Sequence, residues 1–225
     1  MLHDGLALKS AGADKVTKAL TKQGQSYNDP DFVKAANCIK ELVDMGAFID
    51  GATGLSNDEA SASFYAEQVP MYFTGSWMGG SIVTDAEKPD NFAVAPIPVV
   101  NSKNASVTDF MGGGSDTLMV SANTKNKDLA AAAAFEITRG VSKHAYLSGA
   151  GIPAWTVDYD ASSVPALTQQ VADIAGKATS YTLWFDTLMS SDDAGEYLTL
   201  LQSLFAGDLK PEEFAASMDK QLSKK

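Results

Sequence analysis

The chain is short of residue types on which several classes of function depend. Its 225 residues include one cysteine, one arginine and two histidines. A single cysteine, Cys38, excludes an internal disulfide, and its position in a helical run predicts a small, half-buried apolar residue. His3 lies at the start of the chain, where we expect a frayed end, and His144 lies in a predicted helix. Neither has metal-ligand spacing or a cysteine partner, so we expect no metal and no cofactor.

Positive charge is also scarce. The chain carries 17 Lys and Arg against 28 Asp and Glu, for a net charge of −11, and Arg139 is its only arginine. Nucleic-acid binding requires clustered basic residues, and so does adhesion to an anionic membrane, so both are disfavoured. No apolar run is long enough to span a membrane. The first nine residues lack the basic and apolar regions of a signal peptide.

Catalytic motifs are missing as well. The sequence has no Gly-x-Ser-x-Gly elbow, and no Gly-Lys-Ser/Thr follows its glycine-rich segment, which argues against a serine hydrolase and a phosphate loop. Ser76 and Ser115 have no evident base. A glycosidase with paired catalytic carboxylates remains an alternative, since acidic residues are plentiful and the sequence does not give the distances between them.

Helical and strand patterns alternate along the chain, which predicts an α/β fold. Asp29 followed by Pro30 predicts a capped helix to Met45, and Ser56 with Glu59 fits a capping box. The other predicted helices are 127–138, which we expect to be tightly packed, 142–147, 164–176, 183–205 and 211–222. The predicted strands are 69–74, 92–97 and a buried one at 118–120.

The end of the first predicted strand presents Trp77, at the position where open α/β folds bind ligands. Indole offers a wide apolar face that suits the C–H face of a sugar ring. Burial in the core is the alternative for a lone Trp.

Five segments, taken in order, resemble the sugar-binding family of extracellular solute-binding proteins of ABC importers, which includes maltose-binding protein. In that family a strand reading roughly Ala-Met-Tyr-x-x-Gly-Ser/Pro-Trp ends at a sugar-stacking Trp. The matching segments here are Met71-Tyr72 with Gly75-Ser76-Trp77, Asn91–Pro98, Gly112–Asp116 with Thr117–Ala130, Tyr181–Trp184, and Gly207–Phe214.

The resemblance implies a periplasmic-binding-protein-like α/β fold, made mostly of the helix-rich C-terminal lobe. Residues 1–115 and 155–225 would form that lobe, and 116–154 would be a strand–helix excursion of the N-terminal lobe. The family's first half has no counterpart, so we expect a chain that lacks its N-terminal portion, with a compact variant as the alternative.

The resemblance also implies a ligand site lined by aromatic and polar residues. Trp77 and Trp184 would stack on sugar rings. Asp116, which follows a run of glycines, would accept hydrogen bonds from sugar hydroxyls. The alternative for Asp116 is that it only caps a hinge turn made by those glycines. Core packing is the alternative for the tryptophans. The predicted ligand-binding residues are Trp77, Trp184, Trp155, Asp116, Tyr181, Ser76 and Gly114.

The implied function is carbohydrate binding for an ABC importer, not catalysis. The implied partners are an oligosaccharide and, for the full-length parent, a transporter permease. The implied location is extracellular or periplasmic, with a lipid anchor on the parent. A chain without one lobe should bind sugar weakly and tend to self-associate. A secreted glycoside hydrolase and an α/β adaptor domain without a ligand are the alternatives.

Overall fold

The structure, a computed structural model, describes residues 1–113 and 117–224. It divides into two compact units. The first unit is Met1–Ala60, Pro96–Gly113 and Ala178–Lys225, and the second unit is Ser61–Ala95 and Gly114–Lys177. Each unit is therefore assembled from separate stretches of sequence. The assignment of residues 1–115, 116–154 and 155–225 to lobes stays a prediction.

The described residues are mainly helical. The helices are α1 (Leu2–Ala11), α2 (Ala13–Leu20), α3 (Pro30–Asp44), α4 (Asn57–Tyr65), α5 (Met78–Asp85), α6 (Lys127–Ser148), α7 (Ala166–Ala175), α8 (Phe185–Leu188), α9 (Ser191–Ala206) and α10 (Pro211–Leu222). Short 3-10 turns cover Ala52–Gly54 and Pro89–Asn91, and two strands, β1 (Asp109–Met111) and β2 (Ser180–Thr182), pair in parallel.

Helices α3 and α10 begin where proline and capping residues predict. The Asp29 side chain accepts a hydrogen bond from the Asp31 backbone N–H, and Pro30 occupies the first helical position. At α10, the Glu213 carboxylate accepts from the Lys210 N–H. These contacts satisfy N–H groups that have no partner within the helix. Both helix predictions are confirmed, and so is the Ser56–Glu59 capping box.

The core of the first unit is formed by α1, α3, α9 and α10. Phe32 and Tyr27 are fully buried and stack at a ring-centroid distance of 4.2 Å, and Phe214 and Met218 of α10 are also fully buried. Burying each such side chain contributes about 2–3 kcal/mol. Cys38 is half-buried against this core, as predicted, and burial raises the pKa of its thiol.

The expectation of a frayed start is wrong, because α1 lies inside this core. His3 is 1% exposed, and its Nδ1 lies 2.9 Å from the hydroxyl of Tyr197. The same hydroxyl donates a 2.7 Å hydrogen bond to the Asp4 carboxylate. Burial lowers the pKa of His3 from 6.5 to about 4, although the nearby Asp4 opposes the shift. No local pattern indicates this contact, since Tyr197 is 194 residues away.

The C-terminal end of α1 holds the segment that leads into β1. Lys9 is fully buried, and its ammonium group donates to the carbonyl oxygens of Ser106 at 2.8 Å, Val107 at 3.0 Å and Asp109. Burial lowers the pKa of Lys9, against the pull of the Asp109 carboxylate. One buried cation thus satisfies three carbonyl groups at the start of β1.

The second unit has a smaller apolar cluster. Met78 and Ile82 of α5 are buried against Leu167 of α7, with Phe64 and Phe92 packed around them. The rings of Phe64 and Phe92 meet edge to face at 4.9 Å. The prediction that Phe64 lies on the inner side of α4 is confirmed.

The three predicted strands are wrong. Residues 69–74, 92–97 and 118–120 pair with no strand among the described residues. The 118–120 segment is also not buried, since Leu118 is 52% and Met119 is 90% exposed. Apolar and β-branched runs resemble strands in sequence, but a strand needs a partner for its backbone hydrogen bonds. Two of the runs instead insert rings, Tyr72 and Phe92, beside the α5 cluster.

Two helix predictions also change. Residues 127–138 and 142–147 form one continuous helix, α6, because Arg139, Gly140 and Val141 keep the helical conformation. None of its residues is buried, so the expectation of tight packing is wrong. The predicted helix 183–205 is divided into α8 and α9, since Ser190 caps a new helix by accepting from the Asp193 N–H. No helix of the described residues combines the length and the apolar character needed to cross a membrane.

Candidate functional site

Trp77 stands at the start of α5 and is half exposed. Its relative exposure is 50%, whereas the next residue, Met78, is buried in the α5 cluster. The Met78 N–H donates to the Gly75 carbonyl at 3.2 Å, which closes the turn before the helix. The prediction that Trp77 is not a core residue therefore agrees with its position, and Ser76 beside it is exposed.

The indole of Trp77 lies across the α-carbon of Gly75. A methyl group added at Gly75 would overlap the ring at Cζ3, Cη2 and Cε3. Glycine is thus the residue that lets the backbone and the indole approach this closely. One part of the ring is supported by backbone, and the exposed remainder is available to a ligand.

A second group of predicted residues lies at one edge of the sheet in the first unit. Strands β1 and β2 are parallel, with Phe110 opposite Tyr181, so their carboxyl ends share an edge. Ligands of α/β proteins bind at this kind of edge. Tyr181 lies within β2 and is 50% exposed, and Trp184 follows the strand end and is half-buried.

Glycines extend the same edge from β1. The Gly112 N–H donates to the Thr182 carbonyl at 2.8 Å, and Gly113 has a φ of +81°. A Cβ at Gly113 would lie 2.9 Å from the Cβ of Tyr181, so this approach requires glycine. Gly114 and Asp116, which we predicted as ligand-binding residues, lie outside the described residues.

Asp109 at the start of β1 is held by hydrogen bonds. Its carboxylate accepts from the Ser106 N–H at 2.6 Å, the Ser180 hydroxyl at 2.7 Å and the Thr179 hydroxyl at 3.0 Å. Partial burial opposes ionisation, but these bonds and Lys9 outweigh it and lower the pKa of Asp109. A carboxylate held ionised in this way stabilises the strand start and is poorly suited to general acid catalysis.

Trp155 belongs to a different part of the structure. It is 36% exposed and meets Phe135 of α6 edge to face at 4.9 Å. It also lines a small cleft with Arg139 and Lys143, and neither Trp77 nor Ser76 lines that cleft. Ser76 and Trp77 thus lie at the start of α5, Tyr181 and Trp184 lie at the end of β2, and Trp155 lines the cleft with Arg139 and Lys143.

Sequence reasoning missed two features of these sites. Gly113 supports Tyr181 across the strand pair, and only the pairing of β1 with β2 reveals that contact. Arg139 was noted only as the single arginine and was not paired with Lys143, although residues four apart on a helix share one face. Among residues 1–113 and 117–224, no group of three or more His, Cys, Asp or Glu side chains could hold a metal ion.

The sequence profile of the family described as bacterial extracellular solute-binding protein matches residues 4–135, more than half of the chain. The chain therefore belongs to that family. Its members are binding proteins and not enzymes, and the family implies an extracellular or periplasmic location.

Two solved structures are similar to the chain over nearly all of its length. One is described under xylan utilisation by the thermophilic bacterium Caldanaerobius polysaccharolyticus, with 32% identity, a TM-score of 0.91 and coverage of 97% of this chain and 57% of that one. The other is a chitin oligosaccharide binding protein, with 22% identity, a TM-score of 0.84 and coverage of 98% and 55%. The second likeness shows the fold alone. No curated protein matched the chain.

These comparisons confirm the predicted family and the fold class. The chain spans little more than half the length of both solved structures.

Proposed function

We propose that the chain is a carbohydrate-binding component of an ABC importer. The observation that carries this proposal is the exposed indole of Trp77, held over Gly75 in a member of a solute-binding family. The likeness to the structure described under xylan utilisation supports an oligosaccharide ligand. Indole and phenol faces bind the apolar C–H faces of sugar rings, while hydroxyls remain free for hydrogen bonds.

Within this proposal the aromatic residues form two contact groups. Trp77 and Ser76 form one, and Tyr181 and Trp184 at the sheet edge form the other. The family resemblance supports Gly114 and Asp116, which lie outside the described residues, as further polar contacts. A carboxylate can accept hydrogen bonds from two sugar hydroxyls.

We also propose that the affinity of this chain alone is weak. The chain spans 57% of the similar structure, and small-ligand sites bury most of their ligand's surface. Micromolar affinity corresponds to about −8 kcal/mol, and losing roughly half of the contacts leaves a millimolar dissociation constant or weaker. The exposed apolar side chains of α6, such as Leu129 at 70% and Val141 at 61%, support self-association as a further property.

A titration with xylo- and chito-oligosaccharides tests the binding. We expect the indole N–H signals of Trp77 and Trp184 in ¹⁵N NMR spectra to shift with a dissociation constant in the millimolar range. Trp184→Ala should weaken binding about tenfold, because stacking of aromatic faces is worth roughly 1 kcal/mol or more. The oligosaccharide recovered afterwards should be intact, whereas a glycosidase would release reducing ends.

Gly75→Ala is the matched variant for Trp77. Its added methyl group displaces the indole without removing it, and stability should change little because an exposed ring can turn aside. We expect sugar-induced shifts of Trp77 to be lost while Trp184 still responds. Unmoved Trp77 and Trp184 signals in the unaltered chain would contradict carbohydrate binding, and micromolar affinity would contradict the weak-binding proposal.

The partner and location of the parent protein follow from the same proposal. We expect delivery of the sugar to a membrane permease and attachment of the parent to the membrane through a lipid. The genomic sequence upstream of this segment should then encode a signal peptide with a lipidated cysteine, next to permease genes. A contiguous gene without them would contradict the anchored-importer assignment but not the sugar binding.

A further inference from the structure

The cleft beside Trp155 combines an aromatic wall with positive charge. Arg139 and Lys143 line it from α6, and Trp155, Asp158 and Tyr159 line it from the segment that follows. Its volume is about 30 Å³. A cavity of that size holds about two water-sized groups, which is the space that the two oxygens of a carboxylate require. All of these residues belong to the second unit.

The charge of the cleft is opposite to that of the chain. Two cations, Arg139 and Lys143, face one carboxylate, Asp158, in a protein whose net charge is −11. Lys143 lies 4.9 Å from the ring centroid of Tyr159 and pairs with no carboxylate among the described residues. One positive charge in the cleft is thus left without an anion.

The ion pair in the cleft is open to competition. Arg139 Nη2 contacts Asp158, but the two side chains are 51% and 57% exposed. Exposed pairs contribute little, about 0–1 kcal/mol, and a guanidinium carries five N–H donors. An incoming carboxylate can therefore engage Arg139 at small cost.

Tyr159, one of the residues that line the cleft, carries a polar atom without a partner. The hydroxyl oxygen of Tyr159 is buried and makes no hydrogen bond among the described residues. Burial first, and then the nearby Tyr146 and Asp158, raise the pKa of this phenol. A buried group of this kind costs free energy unless a ligand or water satisfies it.

We propose that this cleft is a subsite for an acidic sugar, such as a uronic acid unit of an oligosaccharide. The carboxylate binds Lys143 and Arg139, the Tyr159 hydroxyl donates to a ligand oxygen, and the sugar ring lies on Trp155. Phe135 holds the indole plane through its edge-to-face contact. The inference rests on the proposed carbohydrate function and adds charge as a feature of the ligand.

The test follows the Trp155 indole signal in ¹⁵N NMR spectra, assigned with Trp155→Phe. Separate titrations use glucuronate, glucose and acetate. We expect glucuronate to give a saturable shift of Trp155, with glucose and acetate at least about tenfold weaker, because the site needs both a carboxylate and a ring. Equal shifts with glucose would overturn the requirement for charge, and equal shifts with acetate would overturn the requirement for a sugar.

Three variants test the residues. Lys143→Gln should weaken glucuronate binding about tenfold or more, whereas Lys127→Gln, at the start of the same helix and outside the cleft, should not change it. Asp158→Asn removes the competing carboxylate and should tighten binding several-fold, a gain that misfolding cannot produce. Unchanged or weaker binding by Asp158→Asn would overturn the assignment.

The same spectra separate this proposal from the proposed function. If neutral oligosaccharides shift Trp77 and Trp184 while glucuronate leaves Trp155 unmoved, the acidic subsite alone is refuted. If glucuronate shifts Trp155 while neutral oligosaccharides shift no indole, the subsite is supported and the neutral-sugar function is refuted.

Discussion

Lys9→Met should reduce the free energy of unfolding of the first unit by about 3–5 kcal/mol. The substitution keeps the length of the side chain but removes a buried cation that three carbonyl groups share. The carbonyls of Val107 and Asp109 would then lose their charged donor, and the carbonyl of Ser106 would keep only the Asp109 N–H. Urea unfolding followed by circular dichroism measures the loss.

The effect should extend to the sheet edge, because the Lys9 contacts fix the start of β1. We expect the Gly112 amide, which donates to Thr182, to exchange with solvent faster in Lys9→Met. Lys40→Met is the matched control, since Lys40 forms an exposed pair with Asp44 and should cost only about 0.5 kcal/mol or less. Similar losses for the two variants would refute the structural role of Lys9.

Acid should destabilise the chain through His3 at pH values between about 6.5 and 4. The buried native imidazole resists protonation to about pH 4, whereas the unfolded chain takes up the proton near 6.5. The unfolded state therefore binds more protons in this range, and stability falls as the pH falls. The shifted pKa of His3 contributes about 3 kcal/mol to the free energy of unfolding at neutral pH, and this contribution is fully lost below about pH 4.

His3→Gln isolates this contribution, because glutamine is neutral at every pH in the range. Between pH 7 and pH 4.5 the unaltered chain should lose about 2–3 kcal/mol more than His3→Gln. His144→Gln, at the only other histidine, lies on the exposed part of α6 and should behave like the unaltered chain. Carboxylates with lowered pKa values, such as Asp109, contribute equally in all three proteins. Parallel pH profiles for His3→Gln and the unaltered chain would refute the prediction.

Local signals in the sequence predicted some helices closely, although α1, α2 and α5 were not predicted. Asp29 with Pro30 marked the start of α3, and α10 runs from Pro211 to Leu222 as predicted. Phe214, Met218 and Leu222 share its buried face. Caps and apolar spacing act within a few residues, so they can be read without knowledge of the fold.

Features that depend on distant partners could not be predicted. Val69–Thr74 has the composition of a strand, but the strand pair that forms is Asp109–Met111 with Ser180–Thr182. Nothing local distinguishes these two three-residue segments from loop. Lys9 and His3 likewise acquire their roles from residues about 100 and 194 positions away.

The sequence indicated which residues belong to the candidate site, but it did not predict how they are arranged. The family motif indicated Trp77, and the structure leaves that indole exposed over Gly75. The sequence motif already placed Tyr181 near Trp184, but their position at the edge of a parallel strand pair required the structure. The contact of Trp155 with Phe135 likewise appears only in the fold. The roles of these residues in binding stay predictions.

The first unit joins helices that are far apart in the sequence, since α1 and α3 share a core with α9 and α10. While the ribosome is still synthesising the middle of the chain, the early helices have no complete core to enter. Contacts between such distant segments slow folding, because a long loop must close before they form. The unit therefore folds after translation of α10 and not progressively as the nascent chain emerges.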